Sequence, residues 1–303
     1  LGAKSIRNNR GEVLVTGDIA ATQIVDLIYD GTVFMIIGGL GKSTLFPRTF
    51  LSGFTMSRDT DTSHDTNVTA GDCIDSGNDT NIILGTEMTK RIDSAWTAGN
   101  DNGGFPSAGG SGLTLSNNTW YHVFVIYDVT NGLTDVGYDT NLNASVLTNA
   151  DNASAYTKYR RVGAVRTDGS ANILGYSQLG DYFYWDVIVD AFNGGPPSSA
   201  TDITLRTPLG LKTLAIIRGT GKLALNVQRN YSIWSPDQTN RIATVGGALP
   251  CGSRDALGDT ARVANEMTIK TNTSSQVTHI VDVTGSYTVV ISTEGYIDLR
   301  GKE

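Results

Sequence analysis

The chain has 303 residues, with 23 Lys and Arg against 30 Asp and Glu for a formal net charge of −7. Hydrophobic residues make up 39% and charged ones 17%, which excludes a disordered chain. The acidic balance argues against a nucleic-acid binder, whose affinity rests on Lys and Arg neutralising phosphates. No apolar run approaches the ~18 residues that a membrane-spanning helix needs. No basic segment followed by an apolar one opens the sequence, so no secretion signal is read.

Short apolar runs alternate with clusters of Gly, Asn, Asp, Ser and Thr, and Gly alone accounts for 35 residues. That is a strand-and-turn pattern, because turn residues supply positive φ or local side-chain hydrogen bonds. In chain order it predicts strands at 12–16, 23–29, 33–37, 50–57, 120–129 and 159–166. Further strands are expected at 182–190, 211–218, 278–283 and 287–292. Asp30-Gly31 and Asp168-Gly169 fall between apolar runs and read as hairpin turns. One segment reads differently. Met88, Ile92, Ala95 and Trp96 fall at i, i+4, i+7 and i+8, the spacing of one apolar helix face. Thr86 would cap that helix and Gly99 would end it. The expected fold class is mainly β: consecutive antiparallel β-sandwich domains with one short helix in the middle domain.

Composition also suggests boundaries. The Gly-rich stretch 38–47 and the run Gly194-Gly195-Pro196-Pro197-Ser198-Ser199 break the pattern most strongly. They divide the chain into an N-terminal β attachment unit (1–47), a middle β-sandwich domain with the helix (48–195) and a C-terminal β-sandwich domain (196–303).

Motifs that would carry chemistry each lack an essential residue. Gly38-Gly39-Leu40-Gly41-Lys42-Ser43-Thr44 has Ile36 where a phosphate loop needs Gly, and Leu45-Phe46-Pro47 does not start a helix. Residues 217–222 fail the same way, with Ile216 in the Gly position. Asp59-Thr60-Asp61-Thr62-Ser63-His64-Asp65 alternates carboxylates like a Ca²⁺ loop, yet lacks Gly at position six and has Ala70 at position twelve. His64, His122 and His279 are scattered away from any ligand spacing, and His122 reads as a cross-strand residue. Cys73 and Cys251 form no disulfide framework. No Gly-x-Ser-x-Gly nucleophile elbow occurs. Asp181 and Asp186 remain an open carboxylate pair for glycoside cleavage, which only spatial separation can decide. The aromatic run Tyr182-Phe183-Tyr184-Trp185 alternates faces in a strand, so half of it suits a core and half a neighbouring subunit or a sugar. No catalytic, cofactor-binding or metal-binding residue is assigned.

Several stretches carry a family resemblance. Asp18-Ile19-Ala20-Ala21, the apolar run 23–28, Tyr29-Asp30-Gly31-Thr32 and the strand bearing Phe34 resemble a unit of the tail-fibre and other fibrous virion proteins of tailed bacteriophages. The stretches 51–57, 88–96, 119–124, 159–165 and 178–183 resemble a second structural module of that class, and 293–301 resembles its C-terminal ending. The resemblance implies a non-enzymatic virion component assembled in the bacterial cytoplasm, most simply a tail fibre or receptor-binding protein. A head fibre or capsid-decorating spike and a glycan-degrading tailspike are the alternatives. Implied partners are two further copies in a homotrimer, other tail or capsid proteins, and a host-surface glycan or protein. No cofactor, nucleic acid or membrane insertion is implied. No heptads or shaft repeat accompany these stretches.

Overall fold

The computed structural model describes residues 4–7, 13–14, 25–37, 46–47, 49–59, 63–106, 112–150, 153–223, 231–239, 262–281 and 287–302. They fall into two compact units, Leu1–Pro47 and Arg48–Glu303.

The first unit holds β1 (Ile6–Arg7), β2 (Asp26–Tyr29) and β3 (Phe34–Ile37), in the order β1-β3-β2. β2 and β3 are antiparallel, and β1 runs parallel to β3. Their connection is the expected hairpin, with four residues rather than two. Asp30 Oδ1 accepts from the amides of Thr32 and Val33, and Gly31 takes φ 99°. Those two amides hold the Asp30 carboxyl below its ordinary range. The glycine-rich loop 38–44 and most of the strand expected at 12–16 lie outside the described residues.

In the second unit, β4 (Leu51–Gly53), β7 (Gly71–Ile74) and β8 (Asn81–Leu84) form one antiparallel sheet. β5 (Met56–Arg58), β6 (Asp65–Val68), β9 (Met88–Ala95) and β10 (Asn102–Phe105) form another, ordered β10-β9-β6-β5, in which β10 lies parallel to β9. The expected strand 50–57 is thus two strands in two sheets, separated by positive φ at Gly53 and Phe54. β11 (Trp120–Asp128) sits between β12 (Leu133–Asp139) and β13 (Lys158–Arg166). β14 (Tyr176–Leu179), β15 (Tyr182–Gly194), β17 (Leu214–Leu223), β19 (Arg262–Lys270) and β21 (Tyr287–Ile297) make a five-stranded sheet, ordered β14-β15-β21-β17-β19. β16 (Thr201–Thr204), β18 (Tyr231–Trp234) and β20 (Gln276–Val281) make the last. The chain is a mainly-β, strand-rich protein with several antiparallel sheets. Among the described residues the one helical element is a 3₁₀ turn, Leu147–Asn149.

The helix expected over 86–96 is corrected to strand β9. Met88, Ile92 and Trp96 have the same parity, so they share a strand face as readily as a helix face. The residue that decides between them is Lys90, which a helix would place in solvent. Here it is 0% exposed on the inward face beside Ile92. Its ammonium lies 2.7 Å from Asp135 Oδ1, donates to the Thr97 carbonyl at 2.7 Å and stands 5.3 Å above the Trp96 ring. Asp135 also accepts from the amides of Gly99 and Val136. Gly99 is therefore part of the turn that feeds this buried pair rather than a helix stop.

The larger core joins Phe54, Met56, Val68, Ile92, Val123, Val125, Tyr138, Val162, Phe183 and Tyr296. A second lies between the five-stranded sheet and the last sheet, where Ala215, Ile217, Val289 and Ile291 meet Ile203, Ile233 and Val277. A third, beneath the 3₁₀ turn, takes Phe124 and Ile126 from the opposite face of β11. β11 is buried on both faces, which explains its apolar run over 123–127. β15 and β21 traverse two cores: β21 gives Val289 and Ile291 to one and Tyr296 to the other. Their close approach needs Gly295, since a Cβ there would lie 2.2 Å from the Phe183 carbonyl oxygen. Phe183 and Tyr296 then stack at 5.0 Å, within 4° of parallel.

Because Lys90 and Asp135 are buried together, Lys90→Ala strands a carboxylate in the core. It should cost about 3–5 kcal/mol, read as a lowered denaturant midpoint. The double change Lys90→Met with Asp135→Leu should recover most of that loss. A Lys90→Ala cost below ~1 kcal/mol would contradict the pairing.

Candidate functional site: a buried ionic latch

β13 carries two successive arginines, Arg160 and Arg161, directly before its apolar residues 162–165. Successive strand residues face opposite sides, yet both guanidiniums are buried. Next to them, Val162 is left unpaired opposite β11, because Val123 pairs with Gly163 and Phe124 with Arg161. Such a bulge bends the strand locally. Arg161 meets Asp298, on the segment that follows β21, in a bidentate pair at 2.9 and 2.6 Å. Its Nε donates to His122 Nδ1 at 3.1 Å. The amide of Arg300 donates to Asp298 Oδ1 at 2.9 Å.

The neighbouring residues extend the latch. Arg300 reaches Asp181 at 3.0 Å and donates to the carbonyls of Gly53 and Phe54. Lys302 donates to both Asp181 oxygens at 2.6 Å. Arg160 Nη2 donates to the Gly301 carbonyl. Four of the five residues after β21, Asp298, Arg300, Gly301 and Lys302, are thereby tied to β13, to the β14–β15 turn and to the end of β4.

The electrostatics follow from burial. Burial pushes the Asp298 carboxyl up, and the Arg161 guanidinium more than offsets it, so the group ends below the ordinary carboxylate range. Burial first and Arg161 second push the His122 imidazole down to about 3. His122 is therefore neutral and accepts from Arg161. His279 is similar: burial lowers it to about 4, and its Nδ1 lies 2.9 Å from the Tyr231 hydroxyl. The Cys73 thiol, buried in the main core, is pushed up to about 12 and is inert as a nucleophile.

The residues singled out in the sequence are not gathered into one place. Asp181 is engaged by Arg300 and Lys302, while Asp186 lies beside Gly175. Residues 217–222 belong to β17, paired on both sides, and form no loop. In the acidic stretch 59–65, Asn67 donates to Asp59, and Arg91 Nε stands 3.9 Å from Asp65; residues 60–62 lie outside the described set. His64 approaches Asp93 at 3.8 Å. No group of three or more His, Cys, Asp or Glu able to hold a metal occurs among the described residues. Cys251 lies outside them. Arg161, Asp298 and Arg300 escaped the sequence reading. The available signal was Arg160-Arg161 inside a predicted strand, where a charge pair without alternation implies a buried partner.

No protein-family model and no curated protein matches the chain. Solved structures that align with it include the VP2 subviral particle of infectious bursal disease virus, at 13% identity over 86% of this chain and 74% of that one, with a TM-score of 0.20. The Gx strain of that virus aligns at 12% identity over 82% and 68%, with a TM-score of 0.22. T=1 particles derived from it align at 11% identity over 83% and 70%, with a TM-score of 0.20. These structures come from infectious bursal disease virus and not from a bacteriophage. The tailed-phage family, the tail-fibre role and assembly in a bacterial cytoplasm, expected from the quoted motifs, are corrected accordingly. At these TM-scores the likeness carries no argument about what this chain does.

Both buried histidines bind a proton more weakly in the folded chain than in the unfolded one. The unfolded state therefore takes up protons first, and stability falls as pH drops below about 6.5. For His122 the loss continues toward pH 3, at a limiting slope of about 1.4 kcal/mol per pH unit. Asp298, also depressed when folded, adds its loss below about pH 4. Denaturant unfolding at pH 7, 6 and 5 should show this decline, and His122→Asn should flatten it. A pH-independent midpoint over that range would contradict the assignment of a neutral buried His122.

Proposed function

We propose that the chain is a non-enzymatic structural protein of a viral particle that works by associating with further copies of itself. The carrying observation is where its ionisable groups go: Lys90, Asp135, Arg161, Asp298 and His122 are buried and engaged with one another. A catalytic centre needs such groups presented to a substrate with displaced pKa values. Here Lys90, Asp135, His122 and Asp298, whose pKa values are displaced, face the interior.

The surface supports the self-association. β15 alternates Tyr182 and Tyr184 outward with Phe183 and Trp185 inward. The two outward rings stack at 6.3 Å. Pairing with β21 then skips from Tyr184–Gly295 to Val189–Thr293. This wide bulge leaves Val187 68% and Ile188 49% exposed. Such an apolar surface on a soluble protein marks an interaction site. In the first unit all four residues of β2 are exposed, Leu27, Ile28 and Tyr29 among them. Without heptads or a shaft repeat, a component of the particle's shell or its surface decoration suits the sequence better than a fibre. We retain the division at 47 and the homotrimer as parts of this proposal.

Light scattering of the intact chain should return three times the 32.2 kDa chain mass. The double variant Val187→Lys, Ile188→Lys should shift it toward the single-chain mass with the chain still folded, since both side chains face solvent in the single chain. A wild-type monomer at micromolar concentration would remove the trimer. Shortening of a polysaccharide by the purified chain would favour the glycan-degrading alternative.

A further inference from the structure

Beside the latch lies a cleft of about 530 Å³ whose walls include Arg160, Arg161, Lys212, Arg300, Asn78 and Asp298. Four cations and one carboxylate thus border the same space. Most of that charge is accounted for. Arg161 is paired with Asp298, Arg300 and Lys302 share Asp181, and Lys212 and Lys270 share Asp237.

Arg160 is the exception. Its side chain is buried, the residue being 5% exposed, and among the described residues no carboxylate stands within ion-pair distance of it. Its Nη2 donates to the Gly301 carbonyl, and its Nε has no hydrogen-bond partner. The carboxylate whose charge acts on it is Asp75, second in effect to the Cys73 thiol. Both Asp75 oxygens are already committed, to the amides of Gly77, Asp79 and Thr80. The Asn78 side-chain oxygen, on another wall of the cleft, is buried and unpartnered too. Gly301 keeps one face of the guanidinium clear, since a Cβ there would rest 3.5 Å from Arg160 Cζ. A buried guanidinium without a counter-charge is strongly unfavourable, and planar N–H donors match oxyanions best.

We propose that this cleft is a binding site for one small tetrahedral oxyanion, of the phosphate or sulfate type, held by Arg160 with help from Asn78. Such an anion supplies acceptor oxygens to Arg160 Nε and completes the charge balance of the latch. Hydrogen phosphate also carries an O–H for the Asn78 oxygen, which favours phosphate over sulfate. The chain's net charge of −7 disfavours an extended polyanion and favours a single free ion. The site is independent of the assembly reading above.

The test titrates the full chain with inorganic phosphate, sulfate, acetate and chloride at one ionic strength, following heat release and thermal midpoint. Phosphate should bind saturably and raise the midpoint by several degrees at about a hundredfold excess over Kd. Sulfate should act more weakly, and chloride should have no effect. Arg160→Gln should abolish the response. Asn78→Gly, which keeps the positive φ of that turn, should weaken phosphate binding about tenfold and serves where Arg160→Gln fails to fold. Arg206→Gln, in a different cleft, should leave binding intact. Equal shifts with chloride, an undiminished response in both the Arg160 and Asn78 variants, or its loss in Arg206→Gln would each overturn the proposal.

Discussion

A charge taken out of water must find an opposite charge or hydrogen-bond partners, and this requirement organises the second unit of the protein. Arg161 is buried in a strand that is buried for most of its length. Its only bidentate carboxylate among the described residues, Asp298, lies 137 positions further along the chain. Satisfying Arg161 therefore fixes the path of the segment after β21. Lys90 and Asp135 impose the same condition between β9 and β12. Apolar contacts would permit several packings of these sheets, whereas each pair leaves a costly unpaired ion in all packings but one.

The two apolar cores hold together without a helix between them because strands pass from one to the other. β15 and β21 run through both, and their register is irregular where the cores meet. At one side of that irregularity Gly295 lets the strands close up, so that Phe183 and Tyr296 stack. At the other side, β15 bulges and turns Val187 and Ile188 outward. The same backbone feature that accommodates the inner packing thus creates the surface assigned to self-association.

Much of the strand pattern was legible because turn chemistry punctuates it. Asp30 and Asp168 cap their turns with side-chain oxygens that accept nearby amides, the behaviour expected of Asp beside Gly. The long apolar runs of β11, β13 and β15 are strands as expected. β9 was not legible, for a specific reason. Even spacing of Met88, Ile92 and Trp96 fits two periods, and the tie is broken by a lysine whose burial depends on Asp135, 45 positions away. The latch was hidden in the same way: Arg161, His122 and Asp298 are ordinary surface residue types, and only long-range pairing places them inside. The phage-like motifs misled because short turn-and-strand segments recur in unrelated β proteins.

Arg161 and Asp298 hold the segment after β21 against the larger core as part of one cooperative body. Native-state hydrogen exchange compares the intact chain with Asp298→Asn most directly. Weakening this one pair should lower protection together in β11, β13, β15 and β21. Loss of protection confined to residues 298–302, with those strands unchanged, would show that the segment is merely laid against a body that stands without it.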